Sequence, residues 1–176
     1  MKSTCIYLRA IELTDALDYQ KGTTIEEIRL MTGTPREYSV QEIEAHIKQI
    51  KQDESREDYA ICLNETDVMI GELSILDIDN TNQSAVFRIA MNDTDYLGKG
   101  IGTEAIELVK KHVFTTLKLN RLQLEVFSHN LRAKKAYEKV GFIQEGVLRE
   151  ALCYKGKFYD EIIMSILKSD FESLNN

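Results

Sequence analysis

Residues 97–103, with the sequence LGKGIGT, place three glycines at alternate positions between a strand pattern and the longest helical pattern of the chain. Gly98, Gly100 and Gly102 let the backbone adopt positive φ and approach a ligand closely. The first N–H groups of the helix that follows are unpaired and lie at the positive end of its dipole. The loop therefore predicts an anion site, and a tight strand-to-helix connection without a ligand is the simpler alternative.

Two common phosphate-binding motifs do not fit this loop. The dinucleotide fingerprint requires a third glycine at position 103, where threonine stands, and an earlier strand–helix context. The P-loop requires Gly-Lys-Ser/Thr after a gap of four residues, whereas Gly102 is followed by Thr103 and Glu104. Both motifs are therefore disfavoured by spacing.

Apolar runs bounded by turn residues, and in one segment strict alternation, predict the strands. In residues 121–127, Leu122, Leu124 and Val126 alternate with polar side chains, as in a half-buried strand. Along the chain, strands come first and are followed by elements in the order β-α-β-α-β-β. This order indicates a mixed sheet covered by helices, which is an α+β domain. The predicted strands are 5–11, 59–64, 68–76, 84–91, 121–127, 142–149 and 158–167.

Two S/T-x-x-E sequences predict helix starts. Thr24 to Glu27 opens the first helix, which is expected to stop near Gly33, and Ser39 to Glu42 opens the second. The other predicted helices are 102–117 and about 130–140.

Length and charge limit the classes of function. The chain has 176 residues and a formal net charge of −7, and its length predicts a single domain over residues 1–176. An acidic chain is poorly suited to non-specific nucleic-acid binding, which needs Lys and Arg to neutralise phosphates. No stretch approaches the roughly 18 apolar residues of a membrane span, and the N-terminus lacks a signal-peptide pattern. We therefore expect a cytoplasmic protein with no nucleic-acid or membrane partner.

Cysteine and histidine spacing indicates neither disulfides nor a metal. Cys5, Cys62 and Cys153 are odd in number and widely separated, which predicts reduced thiols in the core. His46 and His112 fall in helical patterns without partner ligands at metal spacing, so we predict no metal site.

The motifs together resemble the GCN5-related N-acetyltransferase (GNAT) superfamily. The loop is similar to its Q/R-x-x-G-x-G/A signature, with Leu97 in place of Gln or Arg. Residues 120–142 resemble the superfamily's strand, Asn-led helix and Tyr-x-x-x-Gly-Phe ending, and residues 145–166 resemble the branch with ribosomal-protein N-terminal and spermidine acetyltransferases. The resemblance covers roughly residues 4–168. It implies a mixed, mostly antiparallel sheet of about six to seven strands flanked by helices.

The resemblance also implies acetyl-CoA as co-substrate and no metal. The pyrophosphate is expected on the N–H groups of residues 99–103, and the pantetheine arm along residues 89–91, where strands of this superfamily splay apart. Asn130 is similar to a family residue that bonds the cofactor's amide region. The expected cofactor-binding residues are Ile89, Ala90, Met91, Lys99, Gly100, Ile101, Gly102, Thr103, Asn130 and Ala133.

Acetyl transfer from a thioester to an amine needs a neutral amine, a polarised carbonyl and a protonated leaving sulfur. An α-amine with a pKa near 7.7–8.0 is about a fifth to a quarter neutral at roughly pH 7.3, whereas a lysine-like amine is only about 0.1% neutral. Glu125, on the polar side of its strand, is the expected base, and an exposed strand carboxylate is the alternative. Tyr137 is the expected acid, with a core aromatic as the alternative, and a backbone N–H near Met91 is the expected carbonyl donor.

The leading hypothesis is an N-acetyltransferase that acts by direct transfer in a ternary complex. The acceptor is a primary amine, either a protein N-terminus or a small polyamine-like molecule, and residues 14–56, including the loop 32–39, are expected to shape its cleft. The second hypothesis is an acyl-CoA-binding module of the same fold without transferase activity. The third is a nucleotide-dependent enzyme on a dinucleotide fold, which predicts NAD or ATP binding. A homodimer is expected from the family alone.

Overall fold

One seven-stranded sheet organises the computed structural model, which describes residues 1–174. The strand order is β1-β2-β3-β4-β5-β7-β6. Every neighbouring pair is antiparallel except β4 and β5, which run parallel. This confirms the mixed, mostly antiparallel sheet and excludes a dinucleotide fold, whose sheet is mostly parallel. The strands are β1 (Ile6–Ala10), β2 (Glu57–Leu63), β3 (Met69–Asp79), β4 (Ser84–Met91), β5 (Arg121–Phe127), β6 (Ile143–Tyr154) and β7 (Lys157–Leu167).

Helices cover both faces of this sheet. Val109 of α4 and Tyr137 of α5 belong to the larger apolar core on one face, and Ile47 of α3 packs with Ala60 and Cys62 on the other. Between residues 1 and 174, no helix is long and apolar enough to cross a membrane. The helices are α1 (Ala16–Thr24), α2 (Glu26–Thr32), α3 (Val40–Ile50), α4 (Ile101–Lys111), α5 (Leu131–Lys139) and α6 (Lys168–Leu174).

The strands on either side of the glycine loop lie where the sequence predicts them. The ranges 84–91 and 121–127 agree residue for residue with β4 and β5. The helix predicted over 102–117 is shorter, because α4 ends at Lys111 and a wider π-helical turn covers His112–Thr116. The bounds of these two strands were therefore predicted more precisely than the end of the helix between them.

Thr24 does not start a helix, so this prediction is wrong. It is the last residue of α1, and its Oγ1 donates a hydrogen bond to the Lys21 carbonyl at 2.8 Å. The cap position of α2 is Ile25, which has no side-chain cap. Because the Thr24 hydroxyl bonds within α1, the S/T-x-x-E sequence at Thr24 does not form a capping box at the start of α2. As predicted, α2 stops near Gly33: its last residue is Thr32, and Gly33, with a φ of +69°, is the C-cap.

Ser39 caps α3 as predicted. Its Oγ accepts a hydrogen bond from Glu42 N at 3.3 Å, and Ser39 N donates to the Glu42 carboxylate at 2.8 Å. We expect Ser39→Ala to lower the free energy of unfolding by about 1 kcal/mol, because the N–H of Glu42 loses its partner. Urea denaturation measures this, with Ser169→Ala on the exposed helix α6 as the control. Equal losses in the two variants would contradict the capping role.

The cysteine prediction is right for one residue. Cys62 is buried in β2, whereas Cys5 and Cys153 are exposed, and all three are free thiols. Cys153 lies in β6, an edge strand of the sheet, where an outward-facing side chain is open to solvent. The prediction of core positions for Cys5 and Cys153 is therefore wrong.

Candidate active site

The parallel strands β4 and β5 separate partway along their length. Phe87 and Leu124 are the last residues in register. Beyond them β4 continues to Met91, paired only with β3, and β5 continues to Phe127, paired only with β7. The backbone of residues 88–91 therefore presents a free edge to the gap. An extended ligand can hydrogen-bond to such an edge as an added strand does.

The glycine loop lies after β4 and is open on its outer side. Gly98 and Gly100 have φ values of +72° and +83°, which residues with a side chain rarely adopt. Gly100 is the N-cap of α4, and it supplies no side-chain hydrogen bond to the first turn. A Cβ built at Gly98, Gly100 or Gly102 would meet no heavy atom within 4 Å. The free space and the unpaired N–H groups of the first turn fit a phosphate group.

Charges near this loop favour an anion. Lys99 is exposed within the loop. Glu104, in the first turn of α4, accepts hydrogen bonds from Ser3 Oγ at 2.5 Å and from Cys5 N at 3.1 Å. The bond from Ser3 is the main reason why the pKa of Glu104 lies below its ordinary value. The one carboxylate in the first turn is therefore held against the start of the chain.

Tyr137 lies in α5 with its ring in the core beneath β5. It belongs to the same apolar core cluster as Leu124 and Val126, its ring centroid is 5.9 Å from that of Phe142, and the residue is only 6% exposed. No hydrogen bond of its hydroxyl is found among residues 1–174. Burial raises the pKa of the phenol well above its ordinary value, so the group stays protonated at physiological pH. A proton donor must be in this state.

Glu125 is exposed on the face of β5 opposite to Leu124 and Val126. The predicted acid and the predicted base therefore lie on opposite faces of the same strand. The negative charge of Glu125 contributes, after burial, to a raised pKa of Glu161 on β7. Glu125 of β5 and Glu161 of β7 therefore place two carboxylates on the same face of the sheet.

Asn130 is occupied by local structure. Its Oδ1 accepts a hydrogen bond from Ala133 N at 3.2 Å, and its Nδ2 donates to the Met31 carbonyl at 3.3 Å. His129 Nε2 likewise donates to the Leu30 carbonyl at 2.9 Å. These bonds cap α5 and tie α2 to the end of β5. A cofactor contact by Asn130 or Ala133 stays a prediction.

Three charged residues on the Glu125 face were not identified from the sequence. Glu72 lies in β3 opposite Ala90, Arg88 lies in β4, and Glu161 lies in β7 opposite Phe127. Since opposite residues of an antiparallel pair share a face, all three lie on the Glu125 face of the sheet. Arg88 is on a strand that borders the gap, and Glu72 and Glu161 are one strand further away on either side. Polar positions alternating with buried apolar ones in 68–76 and 84–91 were the signal for Glu72 and Arg88.

The loop 32–39 approaches the same end of the sheet. A Cβ at Gly33 would lie 2.7 Å from the ring of Phe127, so the loop is in close contact with the end of β5. Beside it is a cavity of about 500 Å³ between the loop and the β6–β7 turn. The cavity is lined by Arg29, Pro35, Arg36, Glu37, Cys153, Tyr154 and Lys155.

Comparison with known proteins identifies the family. Residues 6–143 match the family profile described as an acetyltransferase (GNAT) domain. The chain belongs to the GNAT acetyltransferase family. The protein named Probable N-acetyltransferase YjcK of Bacillus subtilis (strain 168) is 30% identical, over 98% of this chain and 99% of that protein. The spermidine N(1)-acetyltransferase of Vibrio cholerae serotype O1 is 32% identical, over 58% of this chain and 59% of that protein.

A solved relative supports the GNAT assignment in three dimensions. The crystal structure of spermidine N-acetyltransferase from Vibrio cholerae in complex with CoA and spermine has a TM-score of 0.85 to this chain at 25% identity. The match covers 95% of this chain and 98% of that one and confirms the predicted fold. This GNAT protein is thus an acetyl-CoA-dependent enzyme that transfers an acetyl group to an amine.

Proposed function

We propose that this acetyltransferase binds acetyl-CoA along residues 89–91 and on the loop 99–103, and transfers the acetyl group directly to a primary amine in a ternary complex. The separation of β4 and β5 beyond Phe87 and Leu124, next to an open glycine loop, carries this proposal. When bound, acetyl-CoA supplies an acetyl group activated as a thioester. Glu125, on one face of β5, acts on the amine, and Tyr137, on the other face, acts on the sulfur.

The proposed roles follow from the position of each group. The carboxylate of Glu125 removes a proton from the acceptor nitrogen, which makes the amine a nucleophile. A backbone N–H near Met91 polarises the thioester carbonyl. The Tyr137 hydroxyl gives its proton to the sulfur as the carbon–sulfur bond breaks and the carbon–nitrogen bond forms. Because Tyr137 and Glu125 lie on opposite faces of β5, transfer takes place across the gap.

Two acceptor classes fit this site: a small polyamine-like amine and a protein N-terminus. The spermidine acetyltransferases among the relatives support the first class, and a net charge of −7 suits a cationic acceptor. The enzyme is proposed to act in the cytoplasm on a dissolved acceptor, without a nucleic-acid or membrane partner. A homodimer stays a family-level expectation.

Release of free thiol from acetyl-CoA tests this proposal. Purified protein is supplied with acetyl-CoA and a panel of spermidine, ribosomal N-terminal peptides and aminoglycosides. We expect thiol release to depend on at least one of these amines. Tight acetyl-CoA binding without turnover on any amine would instead favour an acyl-CoA-binding module.

Glu125→Gln tests the base. We expect kcat/KM for a lysine-like acceptor to fall by about a hundredfold near pH 7, because most of that amine carries a proton which must be removed. The deficit should shrink as the pH approaches about 10, where the amine loses its proton unaided. Glu65→Gln, an exposed carboxylate in the β2–β3 turn, is the matched control. A deficit that stays constant across the pH range would assign Glu125 to positioning.

A further inference from the structure

Glu72 is a buried carboxylate that the proposed mechanism does not use. It lies in β3 opposite Ala90, on the side of β4 away from the gap and on the same sheet face as Glu125. Its Oε2 is buried and has no hydrogen-bond partner among residues 1–174. Burying a carboxylate oxygen costs free energy unless a donor or a cation pairs with it. The position therefore fits a ligand that brings a cation.

Asn92 presents a second unpartnered group next to it. The residue is 3% exposed, and within the described chain neither its Oδ1 nor its Nδ2 has a hydrogen-bond partner. Asn92 N donates to the Ile70 carbonyl at 2.9 Å, so β3 and β4 stay adjacent at this point. A Cβ at Gly22 would lie 3.7 Å from Asn92 Oδ1, so the amide faces α1. Diagonal neighbours on paired strands are about 7–8 Å apart, which places Glu72 and Asn92 within reach of one small ligand.

No basic side chain among residues 1–174 forms an ion pair with Glu72. Arg88 attracts it, but burial outweighs this attraction and raises the pKa of Glu72 to about 8. No ion pair of Arg88 is found among residues 1–174, and Glu72, Glu125 and Glu161 outnumber it on this face. Arg56 is committed to Asp58 at 2.7 Å. The titratable and charged groups that interact with Glu72 are Tyr19 on α1 and Arg88 on β4. Around Tyr19 in turn lie His46 on α3, Asp58 on β2 and Arg56 before β2.

We propose that Glu72 and Asn92 form a subsite for a second ammonium group of the acceptor, while the reacting amine lies at the gap. This inference rests on the proposed function and selects a small diamine or polyamine over a protein N-terminus. An ammonium group has three N–H donors, so it can bond to the Glu72 carboxylate and to Asn92 Oδ1 together. The α-amine of a peptide is followed by an amide, which supplies no positive charge to the subsite.

The test compares butane-1,4-diamine with butylamine, which lacks the second ammonium group. In the wild-type enzyme we expect kcat/KM to favour the diamine by about tenfold to a hundredfold, as a charge-assisted hydrogen bond allows. Glu72→Gln should abolish this preference through KM, while turnover of butylamine changes by less than about twofold. Glu54→Gln, an exposed carboxylate before β2, should keep the preference and serves as the control. The wild-type preference should also fall as the pH drops from 9 to 6, because Glu72 takes up a proton.

Calorimetric titration of butane-1,4-diamine into the enzyme–CoA complex separates this inference from the proposed function. Weaker diamine binding in both Glu72→Gln and Asn92→Ala supports the subsite, whether or not the amine is acetylated. An unchanged diamine preference, or an equal loss for both amines in Glu72→Gln, would overturn it. Absence of turnover with any amine, combined with diamine binding that depends on Glu72, would overturn the proposed transfer and leave the subsite standing.

Discussion

Replacing Tyr137 with phenylalanine is expected to lower kcat by about two to four orders of magnitude, since the departing sulfur loses its proton donor. The affinity for CoA should stay within about twofold, because the ring still fills its place in the core beside Phe142. Thiol release measures kcat, and calorimetric titration with CoA measures the affinity. Thermal unfolding should be little changed, since the hydroxyl has no hydrogen bond within residues 1–174 to lose.

Tyr59→Phe is the matched control for this experiment. It also removes a phenol hydroxyl, one that donates to Glu57 at 2.6 Å in β2, away from the gap. We expect a lower thermal stability and a normal kcat for this variant. If Tyr137→Phe kept the wild-type kcat, Tyr137 would be a core aromatic and the acid would lie elsewhere.

Replacing Gly100 with valine is expected to raise the Kd for CoA by about a hundredfold or more, because its side chain would occupy the phosphate position. No protein atom lies within 4 Å of a Cβ at this position, so the side chain would extend into the open cradle. The φ of +83° adds backbone strain of about 1–2 kcal/mol to the folded state. Calorimetric titration measures the affinity, and urea denaturation measures the strain.

Substitutions at two further glycines distinguish backbone strain from crowding of the phosphate position. Gly156, in the β6–β7 turn, has a φ of +76° and equally open surroundings, so Gly156→Val should cost similar stability and keep CoA affinity. Gly102 lies inside α4 without a positive φ, so Gly102→Ala adds a methyl group free of that strain. We expect it to stabilise the helix and to weaken CoA binding. Wild-type CoA affinity in Gly100→Val would place the phosphates away from this loop.

The fold was predictable where a local pattern determines it. A turn-rich boundary placed β4, period-two alternation placed β5, and the S/T-x-x-E sequence at Ser39 placed the start of α3. The same sequence at Thr24 was misleading, because its use depends on whether a helix already precedes it. A capping box describes a local hydrogen-bonding capacity, and the surrounding chain decides whether that capacity is used.

The candidate site was predictable only in part for the same reason. The glycine loop is visible because its residues adjoin in sequence, whereas the separation of β4 from β5 depends on where their register ends. The burial of Glu72 and Asn92 depends on α1 packing against the sheet, a contact between distant parts of the chain. Opposite faces for Glu125 and Tyr137 likewise follow from the way α5 packs on the sheet.

Direct transfer of the acetyl group to an amine is tested most directly by a single-turnover measurement. Enzyme in excess over acetyl-CoA is mixed with an accepted amine, and the masses of amine and protein are followed by mass spectrometry. Our account predicts that acetylated amine forms in step with free CoA thiol and that the protein is never acetylated. A transiently acetylated Cys153, or thiol release without an acetylated amine, would contradict it.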